Sequence, residues 1–297
     1  MSQEQLAGII EMLRGGAGPD LTQPAAIARR QFSDMLANIP PPQGIDFAPI
    51  AARGVRGFWS RTPEAAEHRV LLYLHGGGYV IGDAWSYRPL WSGLAQASRA
   101  RGLGIDYRLA PEHPFPAAVE DAVAAYRWLI DEGYSPASIA VAGDSAGGGL
   151  AIAALAEARR LGLPPPAAAL ALSPWADLAC TADSIYSNAA ADPSLTRPGL
   201  LNCAAQYLGA ASSDAPLASP VGAELAGLPP LLIQVGSIEI LLDDAVRLAR
   251  RAGAAGVHAQ LEIWPGMPHV WHAFSFALDE GRSALAQAGA FLAARLR

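Results

Sequence analysis

From about residue 56 the chain alternates short apolar runs with longer amphipathic stretches, the rhythm of a mostly parallel sheet flanked by helices. Strands are expected at 55–60 (VRGFWS), 69–75 (RVLLYLH), 103–107 (LGIDY), 138–144 (SIAVAGD), 167–173 (AAALALS), 231–236 (LLIQVG) and 259–264 (AQLEIW). Segments 117–133, 146–162, 242–253 and 281–296 carry apolar residues at helical spacing, and the first two end on a glycine. Two regions break the alternation: 1–45, with IPPPQG as a linker signal, and 176–215. Both are expected to form a cap over a single domain spanning 1–297, since 297 residues that are 52% hydrophobic can bury one large α/β core.

Composition removes several kinds of function. Only 16% of residues are charged and the formal net charge is −6, so no basic face for nucleic acid is expected. All 21 Lys+Arg positions are arginine, which excludes a lysine Schiff base, a serine–lysine dyad and a phosphate-loop lysine. Cys180 and Cys203 stand in neither a CxxC nor a zinc-ligand spacing and read as buried, incidental thiols. The N-terminal segment has no basic region before its short apolar patch, and no apolar run approaches the ~20 residues that span a bilayer. A cytoplasmic protein that does not insert into membranes is expected.

VAGDSAGGGL (141–150) puts Ser145 in a G-x-S-x-G frame directly after a strand and directly before a helix. A sharp turn of that kind needs small residues two before and two after its centre, here Gly143 and Gly147. It projects the hydroxyl above the sheet at a helix N-terminus, where developing negative charge is favoured. A serine is a weak nucleophile at its ordinary pKa and needs a base. WPGMPHVWHAF (264–274) supplies His269 and His272 just after the last strand. His269 is the better candidate, because Pro-Gly marks its loop while His272 already sits on the following helical stretch. The acid that orients the imidazole should follow 231–236, where Glu239 comes first, and Asp243 and Asp244 enter the helix as first-turn acids. The three glycines of LLYLHGGGYVIGD (71–83) allow close backbone approach, so the amides of Gly77 and Gly78, with that of Ala146, are expected to form an oxyanion hole. His75 precedes the nucleophile and is expected to organise this loop rather than act as base.

These residues resemble the hormone-sensitive-lipase-like branch of the α/β-hydrolases, a group of bacterial carboxylesterases. The resemblance runs from about residue 69 through HGGGYVIGD, DYRLAPEHPFPAAVED (106–121), GDSAGG (143–148), DPSL (192–195) and PGMPHVWHAF. It implies the α/β-hydrolase fold with a helical cap, the same Ser145, His269 and Glu239 roles, and a homodimer through the last strand and helix. Relatives usually carry aspartate where Glu239 stands, and glycine and phenylalanine where Val270 and Trp271 stand. DYRLAPEHPFP is taken as structural, with Asp106 and Glu112 as buried hydrogen-bonding partners.

The reading that follows is a serine carboxylesterase acting on short- to medium-chain esters, with no metal or cofactor required. LLNCAAQYL (200–208) of the cap is expected to close an acyl pocket with Trp85 and Tyr186. A lactone hydrolase with the same three residues is one alternative, and a non-catalytic protein that binds a small ligand in the same fold is another.

Overall fold

The computed structural model describes residues 2–52 and 54–297. An eight-stranded sheet is built from β1 (Asp46–Ala52), β2 (Val55–Arg61), β3 (Ala66–Leu74), β4 (Ala100–Ile105), β5 (Ile139–Asp144), β6 (Ala168–Leu172), β7 (Leu231–Gly236) and β8 (Ala259–Trp264). Their order across the sheet is β1-β2-β4-β3-β5-β6-β7-β8. β2 runs antiparallel to both of its neighbours, and every pairing from β4 to β8 is parallel. Every residue of β5, β6 and β7 is buried, so these strands are covered on both faces. That is why they read as continuous apolar runs rather than alternating ones. The fold is the expected α/β-hydrolase arrangement.

The helices between and around the strands are α3 (Arg88–Ala97), α4 (Ala117–Asp131), α5 (Ala146–Arg160), α8 (Leu242–Ala254) and α9 (Asp279–Ala293). α3 packs on α9 and α4 on α5. Region 1–45 supplies α1 (Gln3–Met12) and α2 (Ala25–Ala37), and region 176–215 supplies the short α6 (Ser184–Ser187) and α7 (Arg197–Leu208). Two elements were not singled out from the sequence. β1 contains Pro49, which cannot donate to a sheet ladder and is tolerated here because β1 is an edge strand. α3 begins with a proline in its first turn, a position where the missing N–H costs nothing.

The N-terminal region is fastened to the rest by apolar packing and by one arginine. Ile9 and Leu13 bury against Met267, Trp271 and Phe274, and Phe32 meets Tyr87 edge-on at 5.6 Å. Arg29 on α2 donates through Nε to the Val80 carbonyl and through Nη2 to the Ala110 carbonyl, both at 2.8 Å, while its fork also grips Glu112. Glu112 is therefore a surface partner with its carboxyl held down to about 2 by the guanidinium, not the buried residue expected. Asp106 is likewise exposed, accepting from the Ala84 amide.

Candidate functional site

Ser145 occupies the single-residue turn between β5 and α5 with φ 54° and ψ −123°, a left-handed conformation that a serine adopts only under constraint. The constraint is backbone crowding. A Cβ on Gly143 would stand 2.2 Å from the Gly147 carbonyl oxygen, and one on Gly147 would stand 2.0 Å from the Leu74 oxygen and 2.4 Å from that of His75. A Cβ on Gly149 would meet the Trp175 oxygen at 2.1 Å. Gly143, Gly147 and Gly149 are thus demanded by the backbone oxygens of Leu74, His75, Gly147 and Trp175, and the same crowding holds the serine above the C-terminal edge of the sheet. Its own carbonyl is held by the amides of Gly149 and Trp175.

Two loops from the same edge reach it. His269, in the loop after β8, brings Nε2 to 2.9 Å from Ser145 Oγ and Nδ1 to 2.7 Å from Glu239 Oε2. Glu239, in the loop after β7, is fully buried, and its Oε1 accepts from Ser173 Oγ at 2.8 Å and from the Gly236 amide at 2.5 Å. Burial alone lowers the His269 pKa, but the hydrogen bond and charge of Glu239, with Asp192 and Asp144 behind them, outweigh it and leave the imidazole above its ordinary 6.5. Asp243 and Asp244, the other acids of this stretch, face away. Asp243 accepts from the Ser184 amide, and Asp244 from the amides of Ala176 and Asp177. Asp244 is a buried carboxyl raised by desolvation to about 7. His272 is buried too, hydrogen-bonded through Nε2 to Gln234 and pushed down to about 3, away from the serine.

The glycine loop after β3 lines the same cavity as Ser145 and His269. Gly77 and Gly78 have φ 107° and 62° and line the cavity above the serine. The Gly77 carbonyl is taken up by the Val80 and Ile81 amides, which closes the loop into a tight turn. Each glycine also answers to a protein neighbour, since a Cβ would approach Asp144 Oδ2 at 2.3 Å from Gly76, the Ile81 oxygen at 2.2 Å from Gly77, and Cys203 Sγ at 2.8 Å from Gly78. Ala146 opens the 15-residue α5, so its amide belongs to the positive end of that helix beside the serine. His75 bonds the Gly76 carbonyl and stacks on Tyr107 at 4.3 Å, while the Tyr107 hydroxyl holds the His75 carbonyl. It organises the loop. Asp144, next to the serine, accepts from Tyr73 Oη and the Gly76 amide; its burial raises the carboxyl to about 6.

The cavity measures about 360 Å³. Its floor is Ser145, His269 and the glycine loop; its walls are Phe32, Met35, Leu36 and Ile39 of the N-terminal region, Tyr87 and Leu90 at the start of α3, and Phe274 beyond the histidine. Region 176–215 contributes Pro193, Ser194, Leu195 and Leu200. Trp85 and Tyr186 are corrections to the expected pocket. Trp85 packs on Phe58 at 5.0 Å and Phe47 at 5.8 Å near the β1–β2 edge, with Arg88 over its ring. Tyr186 is 63% exposed and faces Arg197. Aromatic identity does not say which way a side chain leaves the backbone. Cys180 and Cys203 are free and buried.

Two polar residues at the site escaped the sequence reading. Ser173, at φ 46° just past β6, donates to Glu239 and accepts from the Val270 amide at 3.2 Å, joining the acid loop to the histidine loop. Asn188, at the end of α6, donates Nδ2 to the carbonyls of Ser237 and Glu239. Neither lies in a spacing that announces it; a serine after a buried strand is too common to single out. Among the described residues, no cluster of His, Cys, Asp and Glu is arranged to hold a metal ion, and no helix is long and apolar enough to cross a membrane.

Residues 71–273 match a family model described as alpha/beta hydrolase fold. An acetyl-hydrolase of Streptomyces hygroscopicus is 47% identical over 91% of this chain and 89% of its own length. An esterase of Acinetobacter venetianus is 32% identical over 89% of this chain and 88% of its own. A crystal structure of an esterase from the bacterial hormone-sensitive lipase family is 49% identical, covers 99% of both chains and superposes with a TM-score of 0.95.

Proposed function

Because the chain belongs to the α/β-hydrolase fold family and, within it, to the bacterial hormone-sensitive lipase group, we propose that it is a serine carboxylesterase of short- to medium-chain esters. The observation that carries the reading is the unbroken run from Ser145 Oγ through His269 to Glu239, with 2.9 and 2.7 Å steps, opening onto an apolar cavity.

His269 Nε2 takes the Ser145 proton as Oγ bonds to the acyl carbon. Glu239 holds the ring with Nδ1–H toward itself and stabilises the imidazolium without taking the proton. The carbonyl oxygen becomes an oxyanion directed at the amides of Gly77, Gly78 and Ala146, each donor of this kind being worth ~3 kcal/mol of barrier. Collapse breaks the bond to the alkoxy oxygen, which leaves as the alcohol with the proton from His269. Water then gives its proton to His269, attacks the acyl-Ser145, and the carboxylic acid departs as the serine is reprotonated. No step calls for a metal or cofactor. A cavity of about 360 Å³ stands at the small end of the roughly 300–1,000 Å³ typical of small-molecule pockets, which favours acyl chains of a few carbons.

The test is hydrolysis of p-nitrophenyl esters of increasing acyl length, beside a panel of lactones. kcat/KM should peak at short or medium chains and vanish in Ser145→Ala. A steady rise into long chains contradicts the size preference, preference for lactones reassigns the substrate, and binding without turnover leaves a receptor.

A further inference from the structure

One carboxylate ties the cavity wall to the acid loop. Asp192, in the DPSL stretch of the cap, is buried. Its Oδ1 accepts from the Ser194 and Leu195 amides at 2.8 and 2.9 Å, closing a tight turn, and its Oδ2 accepts from the Ile240 amide at 2.8 Å. Pro193, Ser194 and Leu195 of that turn line the cavity above Ser145. Ile240 is the residue after Glu239 and is itself fully buried. A turn that lines the cavity and a loop that carries the imidazole's partner therefore share a single side chain, which accepts from three backbone N–H groups. Carboxylate-to-amide bonds of this kind are charge-assisted, and so shorter and stronger than bonds between neutral groups.

We propose that Asp192 is a positioning residue for the reaction: it sets where Glu239 stands beneath His269 and at the same time shapes the acyl end of the cavity. The inference rests on the esterase reading of the site. Because of the shared carboxylate, a substrate that presses on Leu195 bears on the acid loop. Side-chain volume in the cavity wall and catalytic competence are coupled through it.

Two further features separate this role from simple packing. Asn188, one turn earlier, holds the carbonyls of Ser237 and Glu239, so the cap grips the acid loop by both its N–H and its C=O groups. Asp192 also adds its negative charge to the field at His269. The titratable groups facing that ring are Glu239 on the acid loop, Asp144 at the end of β5, Asp192 in the cap and His272 on the same loop. Removing the Asp192 charge leaves burial less opposed, so the imidazole should become a weaker base.

The experiment is Asp192→Asn, which preserves shape and can keep the turn but presents an NH₂ group where the Ile240 amide needs an acceptor. For p-nitrophenyl butyrate, kcat should fall about tenfold or more, the acid limb of kcat/KM should move to lower pH, and discrimination between butyrate and octanoate esters should weaken. Leu195→Ala, which alters the wall alone, should change the chain-length preference and KM while leaving the acid limb where it was. Histidine NMR titration of folded Asp192→Asn should show the His269 pKa lowered, a readout that needs no turnover and so stands even if the natural reaction is not ester hydrolysis. If Asp192→Asn proves too unstable, Asn188→Ala tests the same grip from the carbonyl side and should also lower kcat more than it changes KM. A parental acid limb and parental kcat in folded Asp192→Asn, with only thermal stability reduced, would overturn the proposal.

Discussion

The turn that carries Ser145 and the loop that carries Glu239 arrive at the same site by different means. Around Ser145 the conformation is enforced by close backbone approach: Gly143 and Gly147 leave no room for a side chain against the Leu74, His75 and Gly147 carbonyls. Around Glu239 the conformation is enforced by side chains from afar, with Ser173 from beyond β6, and Asn188 and Asp192 from the segment between α6 and α7. A close-packed backbone has no alternative arrangement nearby, whereas a loop held by individual hydrogen bonds loosens as each is removed. The nucleophile side should therefore fail all at once, and the acid side by degrees.

The largest effect expected is from Ser145→Ala, which removes the nucleophile of the proposed mechanism and should lower kcat by on the order of 10⁶, by analogy with another serine hydrolase. Retention of the fold by circular dichroism, with ester turnover gone, is the expected pairing. Glu239→Gln keeps the shape and an acceptor for Ser173 but offers an NH₂ to His269 Nδ1, favouring the wrong tautomer. A loss of about 10⁴ in kcat is expected, again by analogy, together with an acid limb shifted to lower pH because the strongest influences raising the imidazole pKa are gone. Equal kcat for the parent and Glu239→Gln would break the assignment of the acid.

Ser173→Ala should be milder, since Glu239 keeps the Gly236 amide: about a tenfold fall in kcat with KM little changed, consistent with the ~1.5–3 kcal/mol of a hydrogen bond to a charged group being only partly transmitted. A pH series on the parent sharpens the contrast further. In the proposed mechanism activity requires neutral His269 and so should rise as pH climbs through its raised pKa. The stability contributed by the protonated pair with Glu239 runs the other way, complete below the ordinary 6.5 and lost as pH rises through the folded-state value. Stopped-time assays and thermal melts on one buffer series would show the two trends crossing; an activity profile flat from pH 5 to 9 would count against a histidine base.

The smallest effect is at the start of α8, away from the chemistry. Asp244 holds its proton up to about pH 7 when folded but releases it near 3.8 when unfolded, so stability falls as pH rises between those values. Asp244→Asn retains an acceptor for the Ala176 and Asp177 amides and removes the ionisation. Its melting temperature should exceed the parent's by several degrees at pH 8 and match it near pH 4, the consequence of a few kcal/mol in a chain of this size (about 1.4 kcal/mol for each tenfold change in the proton equilibrium). No difference at pH 8 would mean that the buried carboxylate is compensated.

Much of this could be read before any coordinates. The parallel strands announced themselves because burial on both faces leaves no polar positions to blur them, and the Ser145 turn because its glycines sit within four residues of it in sequence. The edge strand β1 was hidden by Pro49, and the wall of the cavity was misjudged at Trp85 and Tyr186. Phe32, Tyr87 and Phe274 stand there instead, brought together from three distant segments. Ser173 and Asn188 carried no local pattern at all.

What the sequence determined by itself, then, was whatever short-range sterics impose: which runs are strands, where a turn must be bare of side chains, and which histidine follows the last strand in a loop. Only the tertiary structure decided which acid meets that histidine, what clamps the acid in place and which aromatics enclose the space above Ser145. Those depend on the directions in which side chains leave elements far apart in the chain, and direction is set by packing across the whole molecule rather than by neighbouring residues.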